Sequence, residues 1–333
     1  VVLLCIALIM FIVYFFMDKK LDSQTGEAEE KDDPFKISDL GKIFTSLGFW
    51  LVALLCVLYY SAIFPFQKYA VNMLQCNLTL NPADPSTYWG GSTDGFPISV
   101  TLIQYLIMLV VAICSFSSNF SKKKGMKYGL MGIAIIALVV YCYMGYMRGT
   151  AETIFAVFPL LAVAITPILG NYVDHKGKAA TMLMLGSILL VVCHLTFAFV
   201  LPAFKGSTIG GTVVAYVTIL VLGASFSLVP AALWPSVPKL VDEKIIGSAY
   251  AAIFWIQNIG LGLFPTLIGN VLQSTNPEGT AAHELDYTWA LVMLAVLGIA
   301  ALLISVYLKA VDKKKGYGLE QPNIKAEEKP AEA

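Results

Sequence analysis

The sequence predicts an all-α protein built as a polytopic transmembrane helix bundle. Three observations carry that expectation. Apolar residues make up 58% of the 333-residue chain and charged residues only 13%, against roughly 45–50% and about 25% in ordinary soluble domains. Mean hydropathy is +0.75. Apolar runs of about 20 residues, the length that crosses a bilayer, recur along the whole chain, and the basic residues crowd into alternate connections between them. The net charge is +0, so no bulk field draws nucleic acid and the partner of this surface is a lipid bilayer.

Nine such segments are expected, at 1–17, 47–70, 98–117, 128–147, 152–171, 179–201, 212–235, 247–271 and 287–308. The first opens at Val1 inside an apolar run with no basic residue ahead of it. It therefore does not read as a secretory leader, and a chain that starts within a membrane helix of a longer protein is expected. Residues 18–46 carry Glu27, Glu29, Glu30, Lys31, Asp32 and Asp33 and read as a solvated linker, with a short surface helix at 35–44. The segments at 98–117 and 128–147 are joined by Lys122, Lys123, Lys124 and Lys127. The stretch before them holds Asn77-Leu78-Thr79, a glycosylation sequon that has no meaning in a bacterial cell. Residues 309–333 form a Lys/Glu/Pro tail, expected to be disordered.

Lysine and arginine in short loops mark the cytoplasmic side. If 18–46 is cytoplasmic and the segments alternate, nineteen of the 22 Lys and Arg fall on that side, together with the C-terminus. Only Lys68, Arg148 and Lys205 fall opposite. A missed or extra segment would scramble this division.

Catalytic signatures are scarce. His175, His194 and His283 lie in different segments or loops, and no metalloprotease, nucleophile-elbow or phosphate-loop pattern occurs. The six cysteines include no closely spaced pair, so no metal site, disulfide frame or cofactor is expected. His194 in its apolar segment reads either as a neutral packing histidine or as part of a proton relay. An enzyme is not expected.

One loop is more specific. Gly170-Asn-Tyr-Val-Asp174-His-Lys-Gly177-Lys178 joins two membrane segments on the basic side. Gly170 would let a helix end pack closely and Gly177 would allow a tight turn. Asp174 could face a helix N-terminus, and Lys178 could reach helix carbonyls or lipid phosphates. The loop resembles the cytoplasmic motif of the major facilitator superfamily. The run from Gly247-Ser-Ala-Tyr250 through Gln257-Asn-Ile-Gly-Leu-Gly262 resembles that family's eleventh helix, and Ser225-Phe-Ser-Leu-Val-Pro-Ala-Ala-Leu-Trp-Pro-Ser-Val-Pro238 its tenth. Tyr59-Tyr60 and Phe64-Pro-Phe66 point to the branch that includes a lysosomal dipeptide carrier of animals and its bacterial relatives.

The resemblance implies a register. Residues 1–17 become the end of the sixth helix, 18–46 the central cytoplasmic linker and 47–308 the C-terminal bundle, with a two-helix hairpin inserted at about 98–147 and a cytoplasmic tail at 309–333. The fold would then be the C-terminal half of a major facilitator structure, and a missing N-terminal half would be its partner. The implied function is alternating-access transport of small solutes, most directly dipeptides, other small peptides or amino acids, in a bacterial inner membrane. The alternatives are a carrier of another small organic solute and a non-transporting sensor or scaffold of the same fold. The resemblance also implies that Asp174 lies beside the start of the eleventh helix, near Gly247-Ser248-Ala249, and takes part in a cytoplasmic gate.

Helical spacing nominates a substrate-facing set. Tyr250, Phe254, Gln257 and Asn258 fall at i, i+4, i+7 and i+8, and Tyr60, Phe64, Gln67 and Lys68 repeat that spacing. Trp234 follows Ser227 and Ala231 in the same way. Buried amides are costly against lipid, so Gln257 and Asn258 are expected to turn inward. Aromatics with amides suit a small polar ligand. Lys68 is the one cationic candidate for a zwitterion, and the membrane segments hold no carboxylate at mid-depth.

Overall fold

A computed structural model describes residues 2–25, 37–78, 100–148 and 151–324. Among these residues every regular element is helical. The chain divides into a short unit, Val1–Lys42, and a large one, Ile43–Ala333. The short unit carries α1 (Val2–Thr25), on the first expected segment, and the beginning of α2 (Ile37–Thr45).

The large unit begins with α3 (Leu47–Asn77), whose first turn is capped by the Ser46 hydroxyl accepting from the Phe49 amide at 3.4 Å. There follow α4 (Val100–Phe120), α5 (Lys124–Arg148), α6 (Ala151–Phe155), α7 (Val157–Lys176) and α8 (Ala179–Leu195). A π turn (Thr196–Val200) leads to the short α9 (Leu201–Ala203), and then come α10 (Thr208–Ser236), α11 (Ile246–Thr275) and α12 (Thr288–Lys315). Eight stretches of this unit are long and apolar enough to span a membrane, and they fall on the last eight expected segments.

Proline accounts for the breaks that hydropathy does not show. Pro159 has no N–H for the Phe155 carbonyl, and the helix is interrupted there between α6 and α7. Pro202 likewise leaves the Ala198 carbonyl without its usual donor. The chain responds with the π turn, and the Thr288 hydroxyl reaches Ala198 O at 3.5 Å.

The helices neighbour one another in the order α11, α3, α12, α8, α10, α7, α4, α5. The hairpin α4–α5 therefore joins the bundle chiefly through α4 against α7. Where no water competes, helices associate by close packing and hydrogen bonds. Tyr59 of α3 is fully buried, and its hydroxyl stands 2.6 Å from Ser225 Oγ of α10. Ser225 gives its own proton to the Gly186 carbonyl of α8 at 2.8 Å, so Tyr59 is the donor to Ser225. The chain of two bonds pins three helices together. It depends on Gly186, because a Cβ there would come within 2.7 Å of Val229 and 3.3 Å of Ser225 O.

His194 is buried in α8. Its Nδ1 donates to the Leu190 carbonyl of its own helix at 2.9 Å, and Phe66 packs on it edge-to-face at 5.3 Å. At the opposite end of the bundle from the α7–α8 loop, the Tyr287 hydroxyl donates to Asn72 Oδ1 at 2.6 Å, and burial pushes its pKa up.

The expected disordered tail needs correction. α12 continues to Lys315, and residues 316–324 lie packed against the rest of the large unit, with Leu319 fully buried. Composition suggested a solvated segment, but specific contacts outweigh it. Residues 325–333, and residues 79–99 with Thr79 of the sequon, lie outside the described residues.

Candidate functional site

An aromatic wall forms where α3, α10 and α11 meet. Tyr60 stacks on Phe64 with centroids 5.4 Å apart, and Trp234 stacks on Phe254 at 4.7 Å. The two stacks join through Tyr60 and Trp234, whose rings are 6.3 Å apart and whose Trp234 Nε1 donates to Tyr60 Oη at 3.2 Å. Tyr250 completes the wall 6.0 Å from Trp234. Its hydroxyl donates to the Trp234 carbonyl at 2.9 Å, the carbonyl that Pro238 cannot serve. Phe254 stays 48% exposed, so one ring face is open. Such faces receive apolar groups or, through the ring quadrupole, cationic ones.

Spacing missed Phe226, which sits edge-on to Tyr60 at 6.2 Å and to Phe64 at 5.9 Å. Phe226 stands at i and Trp234 at i+8 of one helix, a repeat that the grouping of Ser227, Ala231 and Trp234 passes over. The expected amides separate. Gln257 is buried against α3, its Oε1 accepting from Cys56 Sγ at 3.3 Å, and acts as a packing residue. Asn258 is exposed, and its Nδ2 donates to the Phe254 carbonyl of its own helix at 2.8 Å. Successive helical residues point about 100° apart, and here that step divides the pair. Lys68 is exposed and Gln67 half-buried. Among the described residues no hydrogen bond ties either one to the wall.

The loop between α7 and α8 has a different partner from the one expected. Asp174 does not cap α11, and nothing lies within 4 Å of a Cβ placed at Gly247. Asp174 instead holds the C-terminal segment. Its Oδ1 accepts from Asn323 Nδ2 at 2.8 Å and its carbonyl accepts from the Ile324 amide at 2.9 Å. Gly177 and Lys178 both take positive φ, at 75° and 71°. The Lys178 and Ala179 amides then donate to the Glu320 and Leu319 carbonyls, each at 3.1 Å. A Cβ on Gly177 would stand 2.4 Å from Glu320 O, so glycine is needed for this approach as well as for the turn. Gly170 has open space around it, and the expected close packing there is absent.

The Glu320 carboxylate receives the Thr181 amide at 2.8 Å and the Thr181 hydroxyl at 2.9 Å. Lys178 and Lys309 stand 3.8 Å from it. The N-terminus of α8 has no side-chain cap of its own; its leading amides are served by Leu319 and Glu320. A carboxylate at a helix start was the right chemistry, on another residue and another helix.

The fold and the wall define a multi-pass helical membrane protein. The chain is 24% identical to the lysosomal dipeptide transporter MFSD1 of zebrafish (Danio rerio) over 304 residues, 91% of this chain and 48% of that protein. It is 28% identical to human MFSD1 over 39% of this chain and 26% of that protein. Against mouse MFSD1 it is 28% identical over 46% of this chain and 30% of that protein. It thus spans about half the length of the zebrafish relative. No family model and no solved structure matches it. These similarities make the chain a distant relative of the MFSD1 proteins.

Proposed function

We propose that this chain supplies the C-terminal half of a facilitator-type transporter for small organic solutes, with small peptides as the first candidates. The carrying observation is the similarity to a lysosomal dipeptide transporter along 91% of the chain. In this reading α3, α10 and α11 present the wall of Tyr60, Phe64, Trp234, Tyr250 and Phe254 to a central cavity, with Asn258 at its rim. A partner half closes the other side, and the two rock about the bound solute. The hairpin α4–α5 is an insertion at the edge. The lysine distribution supports a cytoplasmic α7–α8 loop and C-terminus, and the short loops support a bacterial inner membrane.

The test is uptake of labelled alanyl-alanine by the full-length natural protein in proteoliposomes. Saturable uptake that falls at least fivefold in Phe254→Ala, with folding intact by size-exclusion chromatography, is expected. No uptake of any dipeptide or amino acid by the folded protein would overturn the substrate class. Uptake unaffected by Phe254→Ala and Trp234→Ala would remove the wall from the path.

A further inference from the structure

We propose that the α7–α8 loop, with Thr181, Lys239 and Lys309, is a peptide-recognition site whose resident ligand is residues 316–324 of the same chain. The loop's unusual backbone and the tail's sequence are built for each other. Gly316 ends α12 and turns the chain out of the helix. The Tyr317 ring then lies against Gly48 at the start of α3. Leu319 is fully buried, and its amide donates to Asp312 Oδ1 at 3.0 Å. Lys239 Nζ, from the turn that follows α10, donates to the Gly318 and Gln321 carbonyls at 3.0 and 2.9 Å.

These contacts have the form of peptide recognition. Backbone amides of Lys178 and Ala179 pair with backbone carbonyls of the segment, which supplies affinity without regard to side chains. Three features then select the sequence. Leu319 is fully buried, the α8 N-terminus with Thr181 and two lysines takes the Glu320 carboxylate, and Asp174 takes the Asn323 amide. The ligand class is a short peptide that turns, as residues 318–321 do through the Gln321 amide on the Gly318 carbonyl, with leucine followed by an acid and, three residues after that acid, an asparagine. Tethered directly to α12, the segment faces the site at a high effective concentration. An outside peptide of the same pattern gains access only when the resident segment is absent or weakened.

The site does not depend on the transport reading, and its test is read without transport. The full-length natural protein, shortened to end at Lys315, is titrated with a fluorescent peptide of residues 316–324. Saturable binding is expected, weakened at least about tenfold in peptides carrying Glu320→Gln or Leu319→Ala, since charge-assisted bonds and a buried leucine are both lost. Absence of saturable binding, or equal binding by the altered peptides, would overturn the proposal. A second measurement avoids shortening the protein. In the uncut chain carrying Glu320→Gln, hydrogen exchange at the Lys178, Ala179 and Thr181 amides should speed up at least tenfold relative to wild type. Unchanged exchange at these amides would overturn it equally.

Discussion

The aromatic wall and the α7–α8 loop are held in opposite ways. The wall is made of rings that meet at 4.7–6.3 Å, with two side-chain hydrogen bonds and an exposed Phe254 face. The loop is made of backbone amides and carbonyls paired across more than a hundred residues of sequence, with glycine where a Cβ would collide. Ring contacts are broad and tolerate small movements, so a wall of this kind can adjust to ligands of several shapes. Directional bonds to a left-handed turn accept one partner in one register. The contrast separates a surface suited to a variable solute from a site suited to one defined peptide.

The largest effect that would sharpen this comparison is Trp234→Ala. It removes the ring that joins the two stacks and leaves a cavity, at a cost of about 3 kcal/mol. Chemical denaturation in detergent should show that loss, and hydrogen exchange at Lys178 and Ala179 should not change. Coupled loss of protection at the loop would show that the two regions are one unit. Gly177→Ala comes next, at about 1–3 kcal/mol, because it combines positive φ with the clash on Glu320 O. Its signature is faster amide exchange in residues 318–324, with Trp234 fluorescence unaltered. Tyr60→Phe removes the acceptor for Trp234 Nε1 and should cost about 1 kcal/mol; a thermal melt resolves it. Asn258→Ala should be the mildest, within about 0.5 kcal/mol in stability, since the side chain is exposed and bonded to its own helix. If the wall binds solute, the same change weakens retention of the labelled dipeptide severalfold. A lower melting temperature without weaker retention would make Asn258 structural.

Much of this was legible in the sequence. Hydropathy marks long apolar helices well, because a bilayer demands length and composition and little else. The eight spans of the large unit fell on their expected segments. Helical spacing found Tyr60, Phe64, Trp234, Tyr250 and Phe254, since those positions recur at 3.6-residue intervals within single helices. It passed over Phe226, eight residues before Trp234, and it grouped Gln257 with Asn258 although one residue of rotation turns them to different neighbours. The tail was the larger miss. Lysine, glutamate and proline around residues 309–333 read as solvated because composition records what a segment costs to bury, not what it meets. Thr181, a partner of Glu320, lies 139 residues upstream. The one available signal was Gly177 followed by Lys178, an invitation to a close backbone approach whose partner the sequence does not name.

The separation between Thr181 and Glu320 also sets a clock. At about 5–20 residues per second of synthesis, the loop waits roughly 7–30 seconds for the segment that completes it, a span fixed by the 139 residues between them. During that interval α7 and α8 are already made, while the leading amides of α8 have only water or a passing chaperone for company. Among the described residues the α7–α8 corner therefore closes late, and a ribosome that stalls before residue 316 leaves it open. A peptide of residues 316–324 supplied to stalled chains would report, molecule by molecule, how far synthesis had gone.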